Sequence, residues 1–339
     1  MLSAAKHNKH AGDAGEAEIM REPVRKCQVD VMGEGSVEKN RDVLRIFALS
    51  VRKILEGLDL DFGKLQEIRL RVGMPLILLY DNHEYLVDKK IVSREEINET
   101  VEYVCNYSVY AYEEELRQGF VTVQGGHRVG FAGKIVCEND RVKSIKNISF
   151  INVRLAHEVI GAANVILPYV YDKGFPMHTL IISPPGCGKT TILRDLVRSV
   201  SEGNAYAKGM TVGVVDERSE IAACYMGIPQ NKIGMRTDVL DCCPKEKGMI
   251  MLIRSMSPKV IAVDEIGQSK DIEALKYVAG CGCKLFVTVH GTRLEDIKSK
   301  PFLQDTVKDE IWERYIVLDN VGHVGNINSI YDKKGIRLK

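Results

Sequence analysis

Thr179-Leu180-Ile181-Ile182-Ser183-Pro184-Pro185-Gly186-Cys187-Gly188-Lys189-Thr190-Thr191 runs from an apolar tetrapeptide through a glycine-rich turn to a Lys-Thr pair. Ile192, Leu193, Leu196 and Val197 follow at helical spacing. Strand, glycine-rich loop and helix in that order are the context a phosphate-binding loop requires. Glycines let successive backbone N–H groups turn onto a phosphate, and the helix N-terminus behind them adds its positive dipole. Ser183 stands where the usual pattern opens with glycine, while both later glycines and the Lys-Thr pair are kept. The spacing therefore predicts that Ser183, Pro184, Pro185, Gly186, Cys187, Gly188, Lys189, Thr190 and Thr191 bind nucleotide. Lys189 is expected to reach the β/γ-phosphates and Thr190 to ligate Mg²⁺.

A second segment strengthens the first. Lys259-Val260-Ile261-Ala262-Val263-Asp264-Glu265 is a β-branched run ending in two carboxylates. Continuous apolarity predicts a strand buried on both faces, as in a parallel sheet covered by helices, and such sheets carry chemistry at their strands' carboxyl ends. Asp264 is thus placed to hold Mg²⁺, and Glu265 to orient or deprotonate the attacking water. Two further apolar strands end in polar residues: Thr211 to Val215 before Asp216, Glu217, Arg218 and Glu220, and Lys284 to Val289 before His290. Helical segments alternate with all four strands, which predicts an α/β fold with a parallel sheet. A strand intervening between the glycine-loop strand and the Asp264 strand, with Glu265 beside Asp264, favours a RecA-like P-loop ATPase core over a GTPase, and no Asn-Lys-x-Asp guanine-reading motif is present. Thr288 and His290 are expected near the γ-phosphate. ATP and Mg²⁺ are the cofactors this reading requires.

The 339 residues are enough for two domains. Residues 1–41 are poor in apolar residues and without periodicity, so a disordered extension is expected there. From Asp42 the apolar positions Val43, Leu44, Phe47, Val51, Ile54 and Leu55 share one helical face. An alternating, half-buried strand is expected over Leu65 to Arg71, and further strands over Leu76 to Tyr80, Tyr85 to Val87, Phe120 to Val123, His127 to Gly133 and Ile148 to Arg154. A helix capped by Ser93 and another over about 108–118 complete a smaller α+β N-terminal domain, 42–155. Residues 156–178 read as a linker and 179–339 as the ATPase domain.

A net charge of +1 gives no global pull toward nucleic acid or anionic membrane. No apolar run approaches the ~20 residues of a bilayer crossing, and the N-terminus has no signal-peptide pattern, so a cytoplasmic chain without direct membrane insertion is expected. The clustered cysteines Cys242-Cys243 and Cys281-x-Cys283 match no common zinc spacing. Cys187, at a helix N-terminus, is expected to be reactive toward alkylating agents. Among Arg69, Arg71, Arg128, Arg154, Arg218, Arg236 and Arg254, one is expected to complete a neighbouring subunit's site, because the transition state spreads charge over the γ-phosphoryl oxygens.

Asp216-Glu217-Arg218-Ser219-Glu220-Ile221, Arg236-Thr237-Asp238-Val239-Leu240-Asp241, Pro244-Lys245, Gly248-Met249 and Leu252-Ile253-Arg254-Ser255-Met256-Ser257-Pro258 flank the Asp264 strand. With the glycine loop, from about residue 42 to the C-terminus, they resemble the stage III sporulation protein AA family, itself similar to the traffic ATPases of type II and type IV secretion. Asp216 to Glu220 is similar to their acidic box, and Thr288-Val289-His290-Gly291 to their histidine box. The resemblance implies an ATP-hydrolysing motor of a sporulation channel complex between mother cell and forespore. It implies a homo-oligomer, a hexamer, held at the membrane face through membrane-protein partners. It also brings the acidic-box Glu217 and Glu220 and the histidine-box His290 into consideration beside Glu265 as catalytic residues, with Arg254 a candidate among the arginines above. Two other classes stay open: a nucleic-acid translocase or helicase-like ATPase, and a low-turnover nucleotide-gated scaffold. Neutral charge and 6% aromatics argue against strand tracking, which favours basic grooves with stacking platforms.

Overall fold

The computed structural model describes residues 18–19, 42–321 and 325–339. The extension expected over 1–41 therefore lies outside the described residues, apart from Glu18–Ile19. Internal contacts divide the chain into two units, one ending at Leu155 and the other formed by 156–339 together with the short segment Thr122–His127.

The first unit is a seven-stranded sheet with helices. Strand β1 (Glu18–Ile19) pairs parallel to β4, and the rest of the sheet is antiparallel, in the order β1-β4-β3-β2-β7-β6-β5. The remaining strands are β2 (Leu65–Arg71), β3 (Pro75–Tyr80), β4 (His83–Ile91), β5 (Phe120–Thr122), β6 (Arg128–Glu138) and β7 (Arg141–Arg154). The helix expected from Asp42 is broken into a 3-10 turn, Asp42–Ile46, and helix α1, Leu49–Gly57. Arg52 accounts for the break, donating to the carbonyls of Leu44 at 3.0 Å and Phe47 at 3.3 Å that a continuous helix would have used. Helix α2 (Arg94–Val104) has a reciprocal cap: Ser93 Oγ accepts from the Glu96 amide and Glu96 accepts from the Ser93 amide. Helix α3 (Glu113–Gln118) follows a 3-10 turn at Val109–Tyr112.

Strands β6 and β7 are longer than expected, because Asn139 and Asp140 take φ of 52° and 57° and close a two-residue hairpin turn. Most side chains along 134–147 are exposed, so the stretch carries no alternation of apolar and polar residues to read.

The second unit holds the glycine loop. Residues 156–178, expected as a linker, carry helix α4 (Leu167–Val170) and the small hairpin β8 (Tyr171–Asp172) and β9 (Phe175–Pro176). They also bury Ala163, Ile166, Leu167 and Val170 in this unit's core. Next come β10 (Thr179–Ser183), α5 (Lys189–Glu202), β11 (Val212–Asp216), β12 (Thr237–Asp241), α6 (Lys245–Ser255), β13 (Val260–Val263), α7 (Ser269–Gly280), β14 (Lys284–His290), α8 (Leu294–Ser299), α9 (Pro301–Lys308), β15 (Arg314–Asp319) and β16 (Asn326–Asp332). The sheet order is β12-β11-β13-β14-β10-β15-β16, parallel except for β16.

Alternate strand residues feed two separate cores. Ile181, Val212, Val214, Ala262 and Phe286 pack under α4 and α5, while Ile182, Val215, Ile261, Val263, Val287 and Val289 pack under α6 to α9. Burial on both faces is why these strands are apolar without alternation. The lone tryptophan, Trp312, is fully buried on the second face and donates to Thr306 Oγ1 at 3.0 Å. Helices on both faces leave the strands' carboxyl ends as the open edge of the unit. There β14 separates β10 from β13, so Ser183, Asp264 and His290 come from three neighbouring strands.

Candidate active site

The loop after β10 has the backbone that anion binding needs. Gly186 and Gly188 take φ of 73° and 82°, the region where a side chain is strained, and a Cβ on Gly186 would meet nothing within 4 Å. Ser183 is the last residue of β10 and fully buried, so strand geometry suffices there and no glycine is required. Gly188 caps α5 without any side-chain hydrogen bond, leaving the amides at the start of a 14-residue helix unclaimed by a cap. Pro185 and Gly186 are exposed. Cys187 is only 3% exposed, so the thiol expected to be reactive lies beneath the loop, away from an alkylating agent in solution.

Four predicted residues meet at the loop. Thr190 Oγ1 donates to Asp264 Oδ2 at 2.6 Å, and Lys189 Nζ lies 3.1 Å from Glu265 Oε2. Arg218 also reaches Glu265, at 3.2 Å. Partial burial acts to raise the Glu265 pKa, but the hydrogen bond and charge of Lys189, with Arg218 and Lys245 behind it, hold the carboxyl below the usual glutamate range. Glu265 itself sits at φ 53°, a left-handed conformation costly for a non-glycine residue. Thr288 braces this corner: its hydroxyl donates to Asp264 Oδ1 and accepts the Glu265 amide at 2.7 Å.

In the acidic loop after β11 each acidic residue has its own surroundings. Asp216 is 2% exposed and accepts three backbone amides, those of Glu220, Ile221 and Ala222, at 2.8–3.0 Å. Burial pushes its carboxyl up to about 6 although these donors pull it down. Glu217 is ion-paired to Lys245, the first residue of α6. Arg194, on α5, donates to the carbonyls of Glu220 at 2.6 Å and Ile221 at 2.7 Å, tying the loop to the helix that follows the glycine turn. Arg194 belongs to no motif in the sequence; Asp216 and Lys245 lie in the segments that carry the resemblance, but the bonds they make here are not written in those segments. Asp216→Asn is expected to destabilise the protein by about 2 kcal/mol in a urea titration, since an amide cannot accept at both oxygens and a buried N–H is left unpaired. An unchanged urea midpoint would show that the loop does not depend on this carboxylate.

His290 is exposed at the end of β14, in register with Ser183 at the start of the loop. Arg254 is not brought to the cluster: it is exposed and nine residues beyond Lys245 on α6, about 14 Å at the helical rise. Other arginines are committed locally. Arg236 donates to the Ser201 carbonyl at 2.8 Å, Arg69 pairs with Glu67 at 2.5 Å, Arg154 pairs with Glu67 at 3.2 Å, and Arg128 lies 3.5 Å over the Phe120 ring. Among the described residues no helix is long and apolar enough to cross a membrane.

Residues 37–338 match the family model described as sporulation stage III, protein AA. The chain is also 41% identical over 272 residues to stage III sporulation protein AA of Bacillus subtilis, covering 80% of this chain and 88% of that one. The chain belongs to the stage III sporulation protein AA family. The fold of this family member is similar to that of the ATPase DotB of Legionella pneumophila, with a TM-score of 0.53 at 14% identity over 88% of this chain and 79% of the other. It is also similar to the pilus retraction motor PilT, solved with bound ADP, with a TM-score of 0.51 at 16% identity over 79% and 76% of the two chains. At these identities the likeness is one of fold: the stage III AA chain is a mixed α/β protein with a parallel sheet, built like DotB and PilT.

Proposed function

We propose that this stage III AA chain is a Mg²⁺-dependent ATPase with a RecA-like core, and that it drives a sporulation channel complex between mother cell and forespore. The observation that carries the reading is the pairing of Lys189 with Glu265 and of Thr190 with Asp264 at the open edge of the parallel sheet. The uncapped amides after Gly186 would cradle the phosphates of ATP, and Lys189 would exchange Glu265 for a phosphate oxygen. The Thr190 hydroxyl and Asp264 carboxylate, already within hydrogen-bond distance, form the oxygen donor pair that suits Mg²⁺. The ion would neutralise charge on the phosphate oxygens when bound. Glu265, ionised at neutral pH, accepts a proton from the attacking water. His290, beside Ser183, faces the same edge, and Glu217 and Glu220 act on the acidic loop as its anchors to Lys245 and Arg194.

The exposed Arg254 supports a shared site in a homo-oligomer, which for this fold we take as a hexamer docked to membrane proteins at the cytoplasmic face. ATP turnover per chain is expected to rise with protein concentration as subunits assemble, and Arg254→Ala is expected to abolish that rise while leaving the dilute rate unchanged. An equal defect at all concentrations would place Arg254 in its own subunit's site, and a flat rate in the native protein would contradict the shared site.

A further inference from the structure

Thr288 is fully buried on β14, one strand over from the Asp264–Glu265 pair. Its hydroxyl has one hydrogen to give. The Glu265 amide, at 2.7 Å, is a donor, so the oxygen must accept there and its own hydrogen is left for Asp264 Oδ1. Asp264 Oδ2 takes the Thr190 hydroxyl at 2.6 Å. Two donor arms therefore converge on the Asp264 carboxylate, one from the Glu265 amide through Thr288 and the other from Thr190. The Ile266 amide donates to the Thr288 carbonyl at 3.0 Å, so the backbone on both sides of the Glu265 peptide is tied to one residue. Glu265 holds φ at 53°, a conformation that persists only where surrounding contacts enforce it.

We infer that Thr288 is a positioning residue that couples the two halves of the site: it orients the carboxylate that faces the cation and fixes the strained backbone that aims Glu265. The expectation placed Thr288 near the γ-phosphate, but its one hydroxyl hydrogen is already given to Asp264, which leaves none to donate to a phosphate oxygen. The inference rests on the ATPase reading for its kinetic consequence, but these hydrogen bonds belong to the protein without nucleotide.

Thr288→Val keeps the shape and removes the hydroxyl, while Thr288→Ser keeps the hydroxyl and removes a methyl. Without nucleotide, hydrogen exchange of the peptide containing Glu265 is expected to be at least tenfold faster in the Val variant and unchanged in the Ser variant. With Mg-ATP, kcat is expected to fall roughly ten- to a hundredfold in the Val variant, with a higher Mg²⁺ concentration for half-maximal rate and KM for ATP within about threefold. The Ser variant is expected to recover most of the rate. Native exchange and native Mg²⁺ dependence in Thr288→Val would overturn the inference, as would a Ser variant as impaired as the Val one. If Thr288→Val does not fold, the Ser variant still decides: native exchange and Mg²⁺ dependence support the hydroxyl's role, and faster exchange or a raised Mg²⁺ requirement refutes it. Native protein that neither binds nor hydrolyses ATP would defeat the ATPase reading alone, leaving the exchange result to judge Thr288.

Discussion

Glu265→Gln is expected to reduce ATP turnover by about 10²–10⁴-fold, the range that a positioned general base supplies, while ATP stays bound. The substitution preserves side-chain volume and leaves the Glu265 backbone bond to Thr288 in place. It removes the negative charge that Lys189 and Arg218 face. Lys189 then meets no competing carboxylate, so affinity for ATP is expected to be unchanged or higher. The loss of these two pairs costs the fold little, because the Glu265 side chain is 36% exposed and such pairs contribute at most about 1 kcal/mol. Single-turnover measurement beside equilibrium binding separates the two effects. If Glu265→Gln hydrolyses normally and Glu220→Gln does not, the base lies in the acidic loop and Glu265 only neutralises Lys189.

Lys189→Ala acts one step earlier. The ammonium is expected to supply a charge-assisted contact worth ~3 kcal/mol, and losing it weakens nucleotide binding roughly a hundredfold. Lys189 touches no core side chain through its charge, and its ion-pair partner Glu265 keeps Arg218, so the fold survives. Binding of a fluorescent ATP analogue followed by anisotropy, with a thermal melt of the same sample, reads both. Native affinity in a folded variant would remove the glycine loop from the account.

Much of the second unit was legible because its physics is local. Gly186 and Gly188 are needed for positive φ within a short turn, and Lys189 and Thr190 follow at a spacing that the first helical turn imposes. The strands Val212–Asp216, Val260–Val263 and Lys284–His290 announce themselves by unbroken β-branched runs, which only two-sided burial tolerates. What could not be read is what depends on distant pairing. Arg194 looks like any helix-surface arginine until the Glu220 and Ile221 carbonyls arrive beneath it, and Lys245 looks like a solvated first-turn residue until Glu217 faces it. Thr288 reads as a polar strand end in sequence, and only the neighbouring strand's register turns it toward Asp264 and the Glu265 amide. In the first unit, the continuous helix from Asp42 failed for a related reason: Arg52 reaches back to carbonyls whose freedom no periodicity records. The hairpin Arg128–Glu138 and Arg141–Arg154 was underestimated because its outer half is exposed, so its side chains do not sort by polarity.

The measurement that bears most directly on the central claim is phosphate release from Mg-ATP by purified native protein and Glu265→Gln, side by side at the same concentration, with bound nucleotide quantified in each. The account predicts steady release by the native chain, at least a hundredfold less by the variant, and ATP bound by both. Equal release from the two proteins, or a native chain that binds no nucleotide, would contradict it.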